Sequence, residues 1–341
     1  METKKRIEYI DALRGFTIIL VVLQHIVSMY FRGSDLSPLY LSLQQVRMPL
    51  FFFVSGLVFY KVQRVWNYKE CVLFFRKKIT VQVISPAMFM LLYFLYLGID
   101  IEEGILNKSK YGYWFTYTLF TYFILYITTQ KALSCFSIAS NRNEMFMLLS
   151  AVLVSYVAID HNYWNHNLSG LLGVEKWKYY IFFIFGTMAK RQFSRYERIL
   201  DKSIATLLFA VIFIASNVLS GIFTTKYAII ALQTVCGISG IVVLFSLFKK
   251  LGRQLSSCRK GGKAMQFIGR RTLDIYLIHF FFVYSPIGLL LYEPQFASSV
   301  AKVLYTIFVT ALVVSLSLAI GALLRINGSV AHLLFGAKRV K

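Results

Sequence analysis

The chain has 341 residues, of which 57% are hydrophobic and only 15% are charged, and its formal net charge is +22. Its mean hydropathy is +0.62. These values exclude an ordinary soluble globular domain and are typical of a protein with many membrane-spanning segments.

Apolar segments of membrane-spanning length follow one another along the whole chain. A helix needs about 20 apolar residues to cross the hydrocarbon core of a bilayer. No hydrophilic stretch between these segments is long enough for a separate soluble domain. We therefore predict an all-α integral membrane protein, a bundle of about ten transmembrane helices, with residues 1–341 forming a single polytopic domain and no fused extracytoplasmic domain. The predicted spans are residues 10–29, 43–59, 79–97, 113–129, 145–159, 179–190, 204–221, 228–248, 273–292 and 300–324.

Lysine and arginine alternate between the loops in a regular way. If the N-terminus is placed in the cytoplasm, 28 of the 37 lysines and arginines fall in cytoplasmic segments. This positive-inside pattern predicts that both termini are cytoplasmic and that the protein is a multi-pass protein of the inner or cytoplasmic membrane, with the lipid bilayer as a partner. The basic excess is then a topology signal, and no nucleic-acid binding is inferred from it. The four cysteines lack a C-x-x-C spacing, so no metal site is predicted.

The first span carries the ionisable side chains Asp11, Arg14 and His25. An arginine in such a segment costs roughly 2.5–3.5 kcal/mol on insertion scales, so it is rarely retained without a role. Eleven helical steps bring Arg14 and His25 to nearly the same helix face, separated by about 16 Å along the axis. Asp11 precedes Arg14 by three residues and can neutralise or orient the guanidinium. Asp11 and Arg14 could instead form an interfacial ion pair that reaches the headgroups.

His25 lies too deep in the first span to reach the cytoplasmic headgroups. A neutral imidazole can take the proton of a hydroxyl as it attacks a carbonyl or thioester, which is the work of a general base. The alternative is a structural histidine that bonds to a neighbouring helix near the outer headgroups.

The second span is predicted to have Arg47 at its outer end and Pro49 in its first turn, with Gly56 deeper at a close helix crossing. Arg47 could bind an anionic group of a substrate. It could equally be one of the arginines that commonly lie at a membrane interface.

The ninth span opens with I-G-R-R-T-L-D-I-Y-L-I-H and contains Asp274 and His279. Asp274 is expected to pair with Arg270 or Arg271, while His279 lies deeper and could support a site or pack as a buried polar residue. The basic segment 249–271 could hold a phosphate-rich donor such as a nucleotide or coenzyme A, or could serve only to set the topology.

Taken together, these motifs resemble the acyltransferase family 3 membrane proteins, which modify glycans and other acceptors with O-acyl groups. The likeness begins with R-I-E-Y-I-D-A-L-R-G-F-T-I-I-L-V-V-L-Q-H and continues with M-P-L-F-F-F-V-S-G in the second span. It includes the basic R-K-K before the third span and Y-W-F at the fourth, and it ends with I-G-R-R-T-L-D-I-Y-L-I-H. The resemblance implies that the Arg-x10-His element of the family falls on Arg14 and His25. The family usually has a serine where this chain has Arg271 or Thr272.

The resemblance also implies a function. We expect a membrane O-acyltransferase, specifically an O-acetyltransferase, that takes acetyl from acetyl-CoA and acts on a hydroxyl of a cell-surface or lipid-linked glycan. Acetyl-CoA is expected as a donor substrate, with no tightly bound cofactor. The alternative is a multi-span transporter or exporter of a glycan or small polar solute, in which buried Arg, Asp and His mark the path. The expected site residues are His25, Arg14 and Asp11 for catalysis, Arg14, Arg76, Lys77 and Arg270 for donor binding, and Arg47 and His279 for substrate binding.

Overall fold

The computed structural model describes residues 7–30, 38–61, 66–135, 140–159, 166–283 and 299–336. Within these ranges the backbone forms helices connected by turns and short loops, and contains no strand. The predicted all-helical fold class is therefore confirmed. The predicted ninth span, residues 273–292, is described only as far as Val283, and both chain ends lie outside the described residues.

The helices are numbered in chain order. A π-helical turn, Thr80–Ile84, joins α3 to α4, and two 3₁₀ turns, Lys110–Gly112 and Val174–Tyr179, precede α6 and α9. The α-helices are α1 (Glu8–Tyr30), α2 (Pro38–Phe59), α3 (Tyr68–Ile79), α4 (Ser85–Leu97), α5 (Ile101–Leu106), α6 (Trp114–Cys135), α7 (Ser140–Ile159), α8 (His166–Leu172), α9 (Tyr180–Arg191), α10 (Phe193–Asp201), α11 (Ser203–Ile222), α12 (Lys226–Lys250), α13 (Lys260–Arg270), α14 (Thr272–Ile278), α15 (Phe280–Val283), α16 (Ser299–Leu324) and α17 (Gly328–Phe335).

Six helical segments among the described residues are long and apolar enough to cross a bilayer, where the sequence predicts ten spans. The other predicted spans also fall on helices. Asn143–Ala158 is apolar but short, and Thr272–Val283 is apolar and is described only as far as Val283. Helix α9 has only 12 residues, and α6 has the length of a span but is rich in threonine and tyrosine. The six candidate spans are Glu8–Ser28, Ser42–Phe59, Tyr68–Leu97, Ser203–Ile222, Lys226–Lys250 and Val300–Leu324.

Helix α2 starts at Pro38, before the predicted second span, whereas its candidate span begins at Ser42, one residue before the predicted start. Pro49 lies inside the helix, so the prediction that placed it in the first turn is wrong, while Arg47 lies near the start of the span, where it was predicted. Proline is tolerated inside membrane helices because neighbouring helices and local adjustments compensate for the backbone hydrogen bond it removes. Here Pro49 packs against α12, close to Gly237.

The third predicted span also begins earlier, and its predicted start at residue 79 is wrong. The helix starts at Tyr68 and continues through the π-helical turn to Leu97. The Asn67 side chain caps its N-terminus by accepting a hydrogen bond from the Glu70 backbone N–H at 2.8 Å. The basic residues at the end of α3 interrupt the apolar run, but their long side chains can extend to water from within a helix.

Close helix crossings at glycine hold the bundle together. A Cβ atom at Gly15 of α1 would overlap the carbonyl oxygen of Met265 in α13, and one at Gly269 would overlap the carbonyl oxygen of Asp11. Helices α2 and α9 cross in the same way, because a Cβ atom at Gly56 would overlap the Phe183 carbonyl oxygen. Such backbone contact is typical of membrane helices, which associate through small residues. The close approach predicted at Gly56 is therefore confirmed.

A compact loop connects α5 to α6. Lys110 and Tyr111 have positive φ angles of 45° and 48°, and Gly112 follows with φ 101°. The buried Lys110 ammonium donates to the carbonyl oxygens of Ile105 at 2.8 Å and Gly170 at 3.0 Å, which joins α5 to α8. Burial lowers the pKa of Lys110 below its ordinary value of 10.5.

Candidate functional site

A cavity of about 490 Å³ lies between α1, α2, α3, α6 and α14. We call it the basic cavity, because Arg14, Lys61, Lys77 and Lys78 line it and no carboxylate is present among its described lining residues. Lys61 and Lys77 are exposed and mark its entrance, whereas Lys78 lies 4.8 Å from the ring centroid of Phe123. Four positive charges around one cavity favour an anionic ligand.

The walls of the basic cavity are mostly apolar. A few polar side chains, Thr17, Ser55 and Gln82 among them, interrupt this surface. A concave, largely apolar site with a small number of polar groups is typical of a small-molecule or cofactor pocket. The apolar lining residues are Phe51, Val54, Val58, Phe59, Leu73, Phe74, Val81, Phe115, Leu119, Phe123 and Leu273.

Arg14 is fixed from two sides. Its guanidinium lies 3.5 Å from the Asp11 carboxylate in the same helix, as the i,i+3 spacing predicts. It also donates to the Thr272 hydroxyl at 3.3 Å. The close crossing of α1 and α13 makes this second contact possible, because Thr272 begins the helix that follows α13. Thr272 therefore supplies a hydroxyl at one of the two positions, Arg271 and Thr272, where the family resemblance leads one to expect a serine.

A second group of polar side chains lies farther along α1. The ring of His25 lies 5.4 Å from that of His279 and 4.9 Å from that of Phe280, measured between centroids. Arg47 of α2 interacts electrostatically with His25. We call His25, His279, Phe280 and Arg47 the histidine cluster. It brings α1, α2 and the junction of α14 and α15 together at one point.

The hydrogen bonding of His279 defines its tautomer. Its Nδ1 lies 2.8 Å from the carbonyl oxygen of Ile275, which can only accept, so Nδ1 carries the proton when the ring is neutral. The opposite nitrogen, Nε2, is buried and has no hydrogen-bond partner among the described residues. It therefore offers a lone pair that can accept a proton or a substrate hydrogen bond.

Three aromatic rings line the end of the basic cavity nearest the histidine cluster, because Phe51 follows Arg47 by four residues in α2 and Tyr276 precedes His279 by three. Phe51, Phe115 and Tyr276 line the basic cavity, while His25, His279 and Arg47 are absent from its described lining. The ring centroids of Phe51 and Phe115 are 4.3 Å apart, and those of Phe115 and Tyr276 are 5.9 Å apart. On its other side Tyr276 contacts the His279 ring at 6.5 Å. We call these three rings the aromatic layer.

A buried ion pair supports α14, the helix that carries Thr272 and Tyr276. Asp274 is 1% exposed, and Arg325 donates to both of its carboxylate oxygens, at 2.8 and 2.5 Å. Arg271 approaches the same carboxylate at 3.4 Å, as expected, whereas Arg270 is exposed and is not its partner in the contacts observed. Sequence reasoning missed Arg325, which is 51 residues away and looks like an ordinary basic residue after the last span.

The loop before α6 also braces the site. Gly112 packs against the ring of Phe280, where any side chain would clash, and its carbonyl oxygen accepts a 3.3 Å hydrogen bond from Tyr276. Tyr113 donates to the Leu277 carbonyl oxygen at 2.9 Å. The positive φ angle of Gly112 suits glycine, which has no Cβ atom.

The structure divides the predicted site residues into three sets. Arg14 and Lys77 line the basic cavity, with Asp11 bound to Arg14. His25, His279 and Arg47 meet in the histidine cluster. The two remaining predicted donor ligands, Arg76 and Arg270, are exposed and do not line the basic cavity.

Comparison with known proteins places this arrangement in a family. Neither the curated proteins nor the solved structures include a match to the chain. A family model described as an acyltransferase domain, Acyl_transf_3, matches residues 7–322, which is nearly the whole chain. The helices described above make it a multi-pass membrane protein. The chain therefore belongs to acyltransferase family 3, as its motifs predict, and is a membrane acyltransferase.

Proposed function

We propose that this protein is an O-acyltransferase of the inner or cytoplasmic membrane that transfers acetyl from acetyl-CoA to a hydroxyl of a cell-surface or lipid-linked glycan. One observation carries the proposal. The same helix, α1, presents Arg14 to a cavity with four positive charges and His25 to a second histidine about 16 Å farther along. Family membership supports the acyl transfer, and the resemblance of the motifs supports the acetyl group and the glycan.

The basic cavity is the proposed donor site. Coenzyme A carries phosphate groups at one end of a long, thin arm and the thioester at the other. The phosphates suit the exposed entrance at Lys61 and Lys77, and the arm suits the apolar walls. Arg14, fixed by Asp11 and Thr272, is already oriented to bind a phosphate or another anionic group of the donor. Both ends of the chain, and the entrance of this cavity, are proposed to face the cytoplasm.

The histidine cluster is the proposed reaction centre. His25, as a neutral base, takes the proton of the acceptor hydroxyl as its oxygen attacks the thioester carbonyl carbon. Arg47, whose charge acts on His25, is proposed to stabilise the negative charge that develops on the carbonyl oxygen or to bind an anionic group of the acceptor. The C–S bond then breaks, and the leaving sulfur of coenzyme A takes the proton from His25. The products are an O-acetyl ester and the free thiol.

His279 is proposed to help hold the acceptor. Its Nε2 can accept a hydrogen bond from a substrate, whereas Nδ1 donates to the Ile275 carbonyl oxygen. An acceptor hydroxyl donating to Nε2 would lie beside the ring of His25, because the two rings are 5.4 Å apart. This geometry supports a substrate-binding role for His279 alongside the base.

A transfer assay tests the proposal. Membranes that contain the wild-type chain, His25→Ala, Arg14→Ala or the control His332→Ala are incubated with acetyl-labelled coenzyme A and cell-envelope glycan extracts. His332 lies in α17 and is neither a described lining residue of the basic cavity nor a member of the histidine cluster. We expect a base-labile ester in the wild type and the control, and a loss of about 10²–10⁴-fold in His25→Ala.

Two results would contradict the proposal. Undiminished ester formation by His25→Ala and Arg14→Ala, at normal protein levels, would remove both residues from the mechanism. No ester in any sample, with intact donor and a broad set of acceptors, would contradict acetyl transfer to glycans and favour transport or export.

A further inference from the structure

We propose that the aromatic layer is a gate between the donor and the reaction centre, and that the ring of Phe51 must move aside for the thioester to reach His25. The passage opened by this one ring then limits the size of the acyl group. The inference rests on the proposed function for the identity of the molecule that passes. The barrier itself is a geometric feature of the described residues.

In this proposal the aromatic layer separates the residues that bind the donor from the histidines at which the donor reacts. Arg14 and Lys77 lie on the cavity side of Phe51, Phe115 and Tyr276. His25 and His279 lie on the other side, with the Tyr276 ring in contact with the His279 ring. A donor whose phosphates bind at the cavity entrance therefore meets these rings before its thioester meets His25.

Phe51 is the ring of the aromatic layer that is best able to move. Phe115 is buried and is packed between the rings of Phe51 and Phe52, at 4.3 and 4.9 Å, and that of Tyr276. Tyr276 is tethered through its hydroxyl to the Gly112 carbonyl oxygen. Phe51 is only partly buried and borders the empty space of the basic cavity. Phe51 is therefore the least buried of the three rings, with cavity space beside it into which a new rotamer can turn.

The width of the passage would set the specificity for the acyl group. A passage as wide as one displaced phenyl ring suits an acetyl group, whereas a branch beside the carbonyl widens the acyl group, so that it must displace more of the tightly packed Phe115 and Tyr276. Pockets of this kind discriminate between acyl groups by about 10–200-fold for one methylene. The closed layer also keeps water in the cavity away from the histidines, so the thioester is protected from hydrolysis until an acceptor is present.

Donor selectivity provides the first test. Acetyl-CoA and isobutyryl-CoA are compared as donors for the wild type, Phe51→Ala and the control Phe120→Ala. Phe120 is a partly buried phenylalanine of α6 that contacts Phe75 and does not line the basic cavity. We expect Phe51→Ala to raise the isobutyryl-to-acetyl rate ratio about tenfold or more, and to raise acceptor-free conversion of acetyl-CoA and water into acetate and free coenzyme A. A ratio unchanged from that of Phe120→Ala would overturn the gate.

Thiol labelling provides a second test that needs no acyl transfer. His279→Cys is introduced after the free cysteines Cys71, Cys135, Cys236 and Cys258 have been replaced by serine. A membrane-impermeant maleimide is then added on the side of the membrane that exposes Lys77. Labelling should become about tenfold faster when Phe51→Ala is added and should not change with Phe120→Ala. Equal labelling rates with and without Phe51 would refute the gate, whereas failure of every acyl-transfer assay would count against the proposed function alone.

Discussion

Removal of Arg325 should destabilise the protein more than any change at an exposed charge. Its guanidinium makes two hydrogen bonds to Asp274, a carboxylate that is 1% exposed, and lies 4.1 Å from the centroid of the Phe335 ring. Truncating one partner of a buried ion pair leaves an uncompensated charge and costs about 3–5 kcal/mol. Because Arg271 stays within 3.4 Å of the same carboxylate, we expect Arg325→Ala to cost about 3 kcal/mol, the lower end of that range.

The matched control is Arg271→Ala, which removes the other partner of the same carboxylate. The Arg271 side chain is 35% exposed and its contact with Asp274 is longer, so we expect a loss below about 1 kcal/mol. Asp274→Asn combined with Arg325→Ala should be milder than Arg325→Ala alone, since no buried charge is then left unpaired. The free energy of unfolding is measured by titration with sodium dodecyl sulfate in mixed micelles, followed by circular dichroism. Equal losses for Arg325→Ala and Arg271→Ala would refute this account of the pair.

Three further predictions follow from the close crossing, the buried lysine and the basic cavity. Gly269→Ala forces α1 and α13 apart, so it should lower the free energy of unfolding by about 1–3 kcal/mol and reduce ester formation. Gly261→Ala in the same helix, where a Cβ atom has open space, should be neutral or stabilising in the same unfolding titration. Because the pKa of Lys110 is lowered in the folded protein, the unfolded chain keeps the proton of this lysine up to a higher pH. The free energy of unfolding of the wild type, relative to that of Lys110→Met, should therefore rise as the pH approaches 10.5 from below. A difference between the two proteins that does not change with pH would contradict this expectation. Lys77→Gln should weaken acetyl-CoA binding about fivefold at low salt and less at high salt, and Arg76→Gln should weaken it less. Calorimetric titration of both variants measures this difference, and equal losses of affinity would mean that only the net charge of α3 affects binding.

Local rules explain what the sequence predicts well. Apolar segments give the helical fold because a bilayer requires every backbone polar group to be bonded within its own segment. The three-residue spacing of Asp11 and Arg14 gives their ion pair, and Gly56 gives a close crossing. Each of these predictions needs only the geometry of a single helix.

Contacts between segments that are distant in the sequence explain the features that the sequence does not predict. The partnership of Asp274 with Arg325 depends on how α14 packs against the last long helix, which no spacing in the sequence encodes. Arg76 and Lys77 are neighbours that point about 100° apart, so only the packing of α3 decides that Lys77 alone lines the basic cavity. The start of α2 was mispredicted because proline usually signals the first turn of a helix, a preference that a packed membrane bundle overrides.

The crossing of α1 with α13 and α14 also has a consequence for biosynthesis. Arg14 and its partner Thr272 are separated by 258 residues. At a synthesis rate of about 5–20 residues per second, the first helix waits roughly 13–50 s in the membrane before Thr272 has been made. Asp11 emerges together with Arg14 and can neutralise it during that interval. The ion pair of Asp11 and Arg14 therefore stabilises the nascent chain in the membrane before Thr272 is available. Asp11→Asn should lower the yield of inserted protein even if the folded structure tolerates this substitution.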